Sequence, residues 1–211
     1  MMPTKTRVAP EARALWLRQL RVNAAAFVGF PTNSCSVDGH PVAGLFGGFL
    51  QPHLRGRALD IGCGPQPKAA YLGDYPDDLL AGIDPLPPFA EPHPFEFSQG
   101  VGEALPWPDG SFDTVILATT LDHVYDPAAV LAEARRVLRF GGCVVIWDTF
   151  WPGAPAYDPA NPPTEPPDAY HVFHLSRDSF ERLVADTGFS VVATAEHQHP
   201  YHSAFYILEA Q

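Results

Sequence analysis

A short apolar segment that ends in a tight glycine turn constrains the fold of this chain most. Residues 58–61 read as a buried parallel strand, and Gly62 and Gly64 follow it with one residue between them. Glycines at this spacing let the backbone turn sharply and approach a ligand closely. A second predicted strand ends in Asp84, whose carboxylate can accept hydrogen bonds from two ribose hydroxyls. These residues predict a nucleoside site at the edge of a Rossmann-like sheet.

Prolines after the glycine turn argue against a dinucleotide. A pyrophosphate site normally has a third glycine and free N–H groups at a helix N-terminus. Here Pro65 and Pro67 leave few such donors, and Asp60 would repel a phosphate but could receive an ammonium group. The turn therefore favours a ligand with a ribose and a cation, and an NAD-dependent oxidoreductase is the less favoured alternative.

Four segments in order resemble the class I S-adenosylmethionine (SAM)-dependent methyltransferases, in particular small-molecule enzymes of the Methyltransferase-11 kind. Residues 59–65 resemble motif I of that family, and residues 103–113 resemble the segment between its third and fourth strands. Residues 121–127 resemble the loop after the fourth strand, and residues 136–142 the turn into the fifth. The resemblance implies SAM as cofactor, S-adenosylhomocysteine (SAH) as product, and methyl transfer to an oxygen or nitrogen of a small molecule.

The resemblance also implies a cofactor site made from the ends of several strands. Asp60 and residues 62–64 would hold the methionine end, Asp84 would bind the ribose, and residues 102–104 would frame the adenine. Val101 stands where the family often has an acidic residue, so it would offer adenine only backbone and packing contacts. The predicted cofactor-binding residues are Asp60, Gly62, Cys63, Gly64, Asp84, Pro85, Gly102, Glu103, Ala104, Ala118 and Thr119.

Candidate catalytic residues follow from what methyl transfer requires, which is an aligned nucleophile and sometimes a base. His123 is the first candidate base, because the loop after strand 4 faces the sulfonium and an imidazole titrates near neutral pH. Asp122 could act as base or bind a cationic acceptor. His171 and His174 precede the last helix, where either could reach the acceptor or hydrogen-bond the backbone. A SAM-binding module without catalysis is the main alternative.

The predicted fold is an α/β, Rossmann-like doubly wound sheet of seven strands. The family resemblance implies the strand order 3-2-1-4-5-7-6, with strand 7 antiparallel. Residues 1–54 are expected to form an N-terminal helical cap or lid, and residues 55–211 the SAM-binding core. Prolines between Pro85 and Pro94 exclude an ordinary helix between strands 2 and 3.

A proline-rich segment, residues 151–170, leaves the carboxyl end of predicted strand 5. It holds seven prolines, three acids and no basic residue. Ligands bind at this edge of α/β sheets, and a loop this long is usually functional or disordered. We expect either a flap over the substrate, with Trp151, Tyr157 and Tyr170 as candidate contacts, or a surface excursion.

Charge and composition limit the partners. The net charge is −11, and no Lys or Arg lies between Lys68 and Arg135, the stretch that should line the cleft. A nucleic acid would be repelled there, so we expect a neutral or cationic small-molecule acceptor. No apolar stretch is long enough to cross a bilayer and no signal peptide is recognised, which favours a cytoplasmic protein without membrane contact.

Metal binding is not expected from the sequence. Cys35, Cys63 and Cys143 form neither a disulfide framework nor a metal motif. Three histidines at a predicted turn, His197, His199 and His202, have no nearby carboxylate or cysteine that completes a typical metal set. The sequence indicates nothing about the oligomeric state.

Overall fold

A seven-stranded sheet organises the residues that the computed structural model describes, which are 7–29, 42–89, 91–198 and 202–211. The strand order is β3-β2-β1-β4-β5-β7-β6, as predicted. The strands are β1 Ala58–Ile61, β2 Leu80–Asp84, β3 Glu96–Gln99, β4 Phe112–Ala118, β5 Leu138–Thr149, β6 Phe189–His197 and β7 Ser203–Ala210. The α-helices are α1 Pro10–Gly29, α2 Ala43–Leu50, α3 Pro127–Val137 and α4 Arg177–Asp186.

Strand pairing creates the edge at which a ligand can bind. β1 is parallel to β2 on one side and to β4 on the other, so the order in which the chain connects the strands reverses beside β1. Clefts in open α/β sheets form at such a switch point, beyond the carboxyl ends of the strands. β7 is antiparallel to both β5 and β6, which confirms the prediction that strand 7 is antiparallel. Residues 199–201 between β6 and β7, including His199, lie outside the described residues.

Helices cover both faces of the sheet because successive strand side chains point to opposite sides. On one face, Leu59 and Ile61 pack in a core cluster with residues of α1, α3 and α4. On the other, Ala58 packs with Phe46 and Leu50 of α2. None of the helices in the described ranges is long and apolar enough to span a membrane.

Local sequence signals explain the helix ends. Asp126 caps α3 by accepting a hydrogen bond from the Ala129 N–H at 3.1 Å, and Ser176 forms a capping box with Ser179 at the start of α4. Aspartate and serine are both residue types that helices favour at this position. The described residues between β2 and β3 contain no helix, which fits the prolines there.

Two connections of the sheet are short. The segment after β1 forms only a 3-10 turn, Ala70–Leu72, since the prolines before it prevent earlier helical hydrogen bonds. β5 begins at Leu138, directly after α3, where Leu138 pairs with Phe112 across a register shift between Phe112 and Thr114.

Candidate active site

A cleft of about 380 Å³ lies beyond the carboxyl ends of β1, β2 and β4. Its volume is within the range of small-molecule and cofactor sites. The strand ends form one wall, which we call the floor (residues 58–64, 80–86 and 112–120). The opposite wall includes Trp16, Asn23 and Phe27 of α1, and Tyr170. We call residues 151–174 the flap, and α1 together with the flap the cover.

The glycine turn of the floor is locked against the loop after β4. Gly62 and Gly64 have φ of 78° and 74°, a conformation that side-chain-bearing residues rarely adopt. A Cβ on Gly62 would lie 2.5 Å from Oγ1 of Thr120. That hydroxyl is itself fixed, since it donates to the carbonyl of Ile61 or of Ala118, both at 3.1 Å. Glycine is therefore required at position 62.

Asp84 is held in place by the loops on either side of it. Its Oδ2 accepts from the Gly64 N–H at 2.9 Å and its Oδ1 from the Leu86 N–H at 2.8 Å. The residue is 8% exposed and lines the cleft. Burial raises the pKa of the carboxyl to about 6, against the effect of both hydrogen bonds. Each oxygen keeps a further lone pair, so the group can still accept from two ligand hydroxyls.

Asp60 lies behind the cleft wall and not on it. It is fully buried, and its Oδ2 accepts from the Tyr71 hydroxyl at 2.8 Å, while Tyr71 itself lines the cleft. Oδ1 of Asp60 has no hydrogen-bond partner among the described residues. Burial raises the pKa of Asp60 to about 7, with a further contribution from Asp84. An unpaired buried carboxylate oxygen is a costly feature that a nearby ammonium group would relieve.

Glu103 acts on the loop after β4. Its Oε1 accepts from the N–H groups of Tyr125 and Asp126 at 3.0 and 3.2 Å. Burial raises the pKa of this carboxyl to about 7. Gly102 fits closely beneath the cleft, because a Cβ there would lie 2.8 Å from Ile61. The side chain of Glu103 thus orders the segment that carries the candidate catalytic residues.

Most of the predicted site residues meet in the cleft. Those that line it are Gly62, Gly64, Asp84, Pro85, Gly102, Glu103, Ala118, Thr119 and His123. Asp60, Cys63, Ala104, Asp122 and His171 do not appear in its lining. Cys63 packs below the turn, where it would contact a Cβ on Gly82 at 2.8 Å.

A polar cluster borders the cleft where His123 lines it. The cluster consists of Asp122, His123, Asp168, His171 and His174. Asp122 is buried, and its two carboxylate oxygens lie 3.6 Å from Nε2 of His123 and Nε2 of His171. The two imidazole rings are 4.9 Å apart. The predicted catalytic residues are therefore neighbours, with only His123 on the cleft wall.

Asp168 organises the flap side of this cluster. Its Oδ1 accepts from the N–H groups of Tyr170 and His171, at 2.8 and 2.9 Å. Its Oδ2 lies 2.7 Å from Nδ1 of His171 and 2.8 Å from Nε2 of His174. Although burial acts in the opposite direction, these hydrogen bonds hold the pKa of Asp168 well below its usual range. No sequence pattern indicated a role for this residue.

Side chains of α1 connect the helix to the flap. The Gln19 amide donates to the carbonyls of Asp168 and His171 at 3.2 and 3.1 Å. One turn later, the Asn23 amide donates to the carbonyl of Tyr170 at 3.0 Å and approaches Nδ1 of His123 at 3.3 Å. Two amide residues at i and i+4 on an otherwise amphipathic helix are the one sequence signal that could have indicated this contact.

The flap aromatics have different positions. Tyr170 lines the cleft. Trp151 stacks on His174 with ring centroids 4.0 Å apart, and Tyr157 stacks on Phe173 at the same distance. Of the three aromatic residues that the sequence indicates as ligand contacts, Tyr170 is therefore the one that lines the cleft.

Comparison with known sequences identifies the family. A family model described as a methyltransferase domain matches residues 59–146, which include the floor's glycine turn, Asp84 and His123. The chain contains a class I SAM-dependent methyltransferase domain. The resemblance drawn from its four sequence segments is thereby confirmed.

Two curated relatives of this methyltransferase domain match it over part of their length. A demethylmenaquinone methyltransferase of Roseiflexus castenholzii is 38% identical over 113 residues, which cover 48% of this chain and 47% of that protein. An uncharacterised protein of Mycobacterium tuberculosis (strain H37Rv) is 35% identical over 152 residues, covering 69% of this chain and 49% of that protein. The chain thus spans about half the length of these curated relatives.

Solved structures share the fold of the methyltransferase domain at low sequence identity. One is 1,6-didemethyltoxoflavin-N1-methyltransferase of Burkholderia thailandensis, solved with bound 1,6-didemethyltoxoflavin and SAH. The match has a TM-score of 0.70 and 15% sequence identity, and it covers 99% of this chain and 93% of that one. Another is the [4+2]-cyclase SpnF, with a TM-score of 0.64, 15% identity, and 96% and 97% covered. A methyltransferase and a cyclase on one fold illustrate that reaction chemistry resides in the site.

Proposed function

We propose that this protein binds SAM in the cleft and transfers its methyl group to an oxygen or nitrogen of a small-molecule acceptor. The observation that carries the proposal is the fixed carboxylate of Asp84 at the end of β2, beside the glycine turn and facing the cleft. SAM supplies a methyl group that is already activated by the sulfonium. The protein must bind it, orient the acceptor and exclude water.

The floor fits both polar ends of SAM. Asp84 would accept hydrogen bonds from the ribose hydroxyls. The Tyr71 hydroxyl, which donates to Oδ2 of the buried Asp60 and belongs to a residue that lines the cleft, would accept from the ammonium group. We propose that the strand ends hold the cofactor, with Ala118 and Thr119 near the methionine and Gly102 near the adenine.

A dinucleotide is less well supported by the same turn. The N–H of Gly62 already donates to the Ile83 carbonyl at 2.8 Å, and that of Gly64 donates to Asp84. The turn is followed by the 3-10 turn Ala70–Leu72 and not by an α-helix, so it offers no helix N-terminus for a pyrophosphate.

The acceptor end of the cleft favours a flat neutral or cationic compound. Its wall carries the aromatic side chains of Trp16, Phe27 and Tyr170, and no Lys or Arg is among the described residues that line the cleft. Phosphate or carboxylate groups would have no counter-charge there. A methyltransferase of similar fold was solved with a small heterocycle, which supports a small-molecule acceptor here.

We propose His123 as the base, supported by its position on the cleft wall. Asp122 faces one ring nitrogen of His123, while His171 faces the other oxygen of Asp122. In this arrangement Asp122 and His171 act through His123 and not on the acceptor directly.

The contacts of α1 with the cleft also support our proposed division into a cap, residues 1–54, and a SAM-binding core, residues 55–211. Two cysteines, Cys63 and Cys143, are buried and free, as expected for the cytoplasmic location that we propose.

Calorimetric titration with SAM and NADH tests the cofactor assignment. We expect SAM to bind at a 1:1 ratio and NADH not to bind. Binding of NADH without SAM would overturn the proposal. Binding of SAM without methylation of any acceptor in a broad screen would favour a SAM-binding module without catalysis.

Asp84→Asn tests the position of the ribose. The variant removes the charge but keeps one acceptor oxygen, and charge-assisted hydrogen bonds contribute about 1.5–3 kcal/mol each. We expect SAM to bind about tenfold more weakly or worse. Asp78→Asn, the same change at an exposed position, should leave the dissociation constant unchanged. Equal affinities of both variants would show that the ribose lies elsewhere.

A further inference from the structure

The two nitrogens of the His123 ring meet different surroundings. Nε2 faces Oδ1 of Asp122 at 3.6 Å. Nδ1 faces the Asn23 amide nitrogen at 3.3 Å. Asn23 and His123 both line the cleft, so Nδ1 is the ring nitrogen on the side that the cover closes.

The orientation of the Asn23 amide is set by the flap. Its NH2 group donates to the Tyr170 carbonyl at 3.0 Å, so the end of the amide that meets His123 is a donor. A neutral imidazole has one donor and one acceptor nitrogen. Nδ1 must then be the acceptor, and the ring proton is on Nε2, toward Asp122.

The other groups that act on the His123 ring are not amide donors. Asp122, Asp168 and the Tyr170 carbonyl are acceptors, and His171 is a second imidazole. Among the described residues, the Asn23 amide is the donor that the structure places against a nitrogen of this ring, so it favours an unprotonated Nδ1.

We propose that Asn23 is a positioning residue that sets the tautomer of His123, so that the unprotonated Nδ1 is available to the acceptor. This proposal rests on the proposed function, because it assigns His123 as base. The O–H or N–H of the acceptor replaces the amide N–H at Nδ1 and transfers its proton there. The acceptor atom forms a bond to the methyl carbon, the carbon–sulfur bond breaks, and its electron pair remains on sulfur to give SAH.

Asp122 lies on the other side of the ring, with its Oδ1 3.6 Å from Nε2 and without a hydrogen bond among the described residues. Its negative charge would stabilise the imidazolium that forms when Nδ1 takes up a proton. Because Asn23 belongs to α1 and bonds to the flap, the tautomer of His123 depends on the docking of the two parts of the cover.

Nitrogen-15 NMR of the protein with labelled histidine and bound SAH tests the proposal without an acceptor. His123→Gln identifies the His123 signals by their loss. We expect the Nε2–H tautomer in the wild-type protein. Asn23→Asp replaces the donor by an acceptor of equal size, and we expect Nδ1 to become protonated.

Gln19→Glu is the matched control, because it makes the same chemical change one helical turn earlier, at the carbonyls of Asp168 and His171. It should leave the His123 tautomer unchanged. An Nδ1–H tautomer in the wild type, no change in Asn23→Asp, or an equal change in Gln19→Glu would each overturn the proposal. If Asn23→Asp does not fold, the wild-type tautomer and Asn23→Ala decide. A failure of the protein to bind SAH would overturn the proposed function, and not the assignment of the tautomer.

Discussion

The floor and the cover of the cleft are held in place by different interactions. In the floor, backbone groups and buried carboxylates bond to one another across adjacent strand ends, as in the contacts of Gly62 with Thr120 and of Asp84 with Gly64. In the cover, the side chains of Arg18 and Asn23 donate hydrogen bonds to flap carbonyls, and the Arg18 side chain is half exposed. We therefore expect the floor to be the more rigid of the two walls, as the proposed binding surface for the methyl donor, and the cover to be the more adaptable one.

The largest effect is expected from Gly62→Ala in the floor. It combines a strained positive φ, which costs about 1–3 kcal/mol, with overpacking against Thr120, which costs about 1–3 kcal/mol more. Gly141→Ala is the matched control, because Gly141 has a similar φ of 75° but nothing within 4 Å of an added Cβ. Urea unfolding should show a clearly larger loss for Gly62→Ala. Equal losses would mean that the loop of Thr120 yields and that the floor is not rigid.

A second prediction concerns pH, the buried acids Asp60 and Asp84 of the floor, and Glu103, which also lines the cleft. The pKa values of Asp60 and Glu103 are raised to about 7 and that of Asp84 to about 6. The folded protein therefore binds more protons than the unfolded chain between about pH 4 and pH 7, and its free energy of unfolding falls as the pH rises through this window.

Asp60→Asn should reduce this pH dependence by up to about 4 kcal/mol across the window, since burial raises the pKa of Asp60 from 3.8 to about 7 and each tenfold difference in proton affinity between the folded and unfolded states corresponds to about 1.4 kcal/mol. Denaturant unfolding at a series of pH values measures it, with the exposed Asp78→Asn as control. An unchanged slope for Asp60→Asn would show that Asp60 is not the group that takes up the proton.

The smallest effect is expected in the cover, from Arg18→Ala. Arg18 donates to the Thr164 carbonyl at 3.0 Å and lies 4.0 Å from Glu165, and the two charged side chains are 52% and 77% exposed. Exposed ion pairs contribute about 0–1 kcal/mol, so the free energy of unfolding should change by about 0.5 kcal/mol or less. A loss as large as that of Gly62→Ala would remove the contrast between floor and cover.

The floor could be predicted because its signals are local in the sequence. Gly62, Gly64 and Asp84 belong to short motifs at the ends of predicted strands, and the order of the seven strands followed from the family resemblance. Asp60 was expected to meet the ligand, and the structure places the Tyr71 side chain in front of it. A sequence motif does not show whether another side chain lies between a residue and the cleft.

The cover could not be predicted in the same way. Asn23, His123 and Asp168 are far apart in the sequence, and their proximity depends on how α1 docks on the flap. No periodicity marks Asp168, whose hydrogen bonds exist only after residues 168–174 fold back on it. Trp151 and Tyr157 were expected as contacts because they are aromatic, but stacking partners on the protein itself occupy both rings.

The contact between Gly62 and Thr120 also concerns how ligands exchange. The turn and the loop after β4 touch through backbone and through a hydroxyl that is hydrogen-bonded to a strand-end carbonyl, so we expect neither to withdraw. Entry of the proposed donor and departure of the spent cofactor are then expected on the side of α1 and Tyr170. The rate of exchange, and with it the pace of repeated turnovers, would be set by the half of the site that does not hold the cofactor.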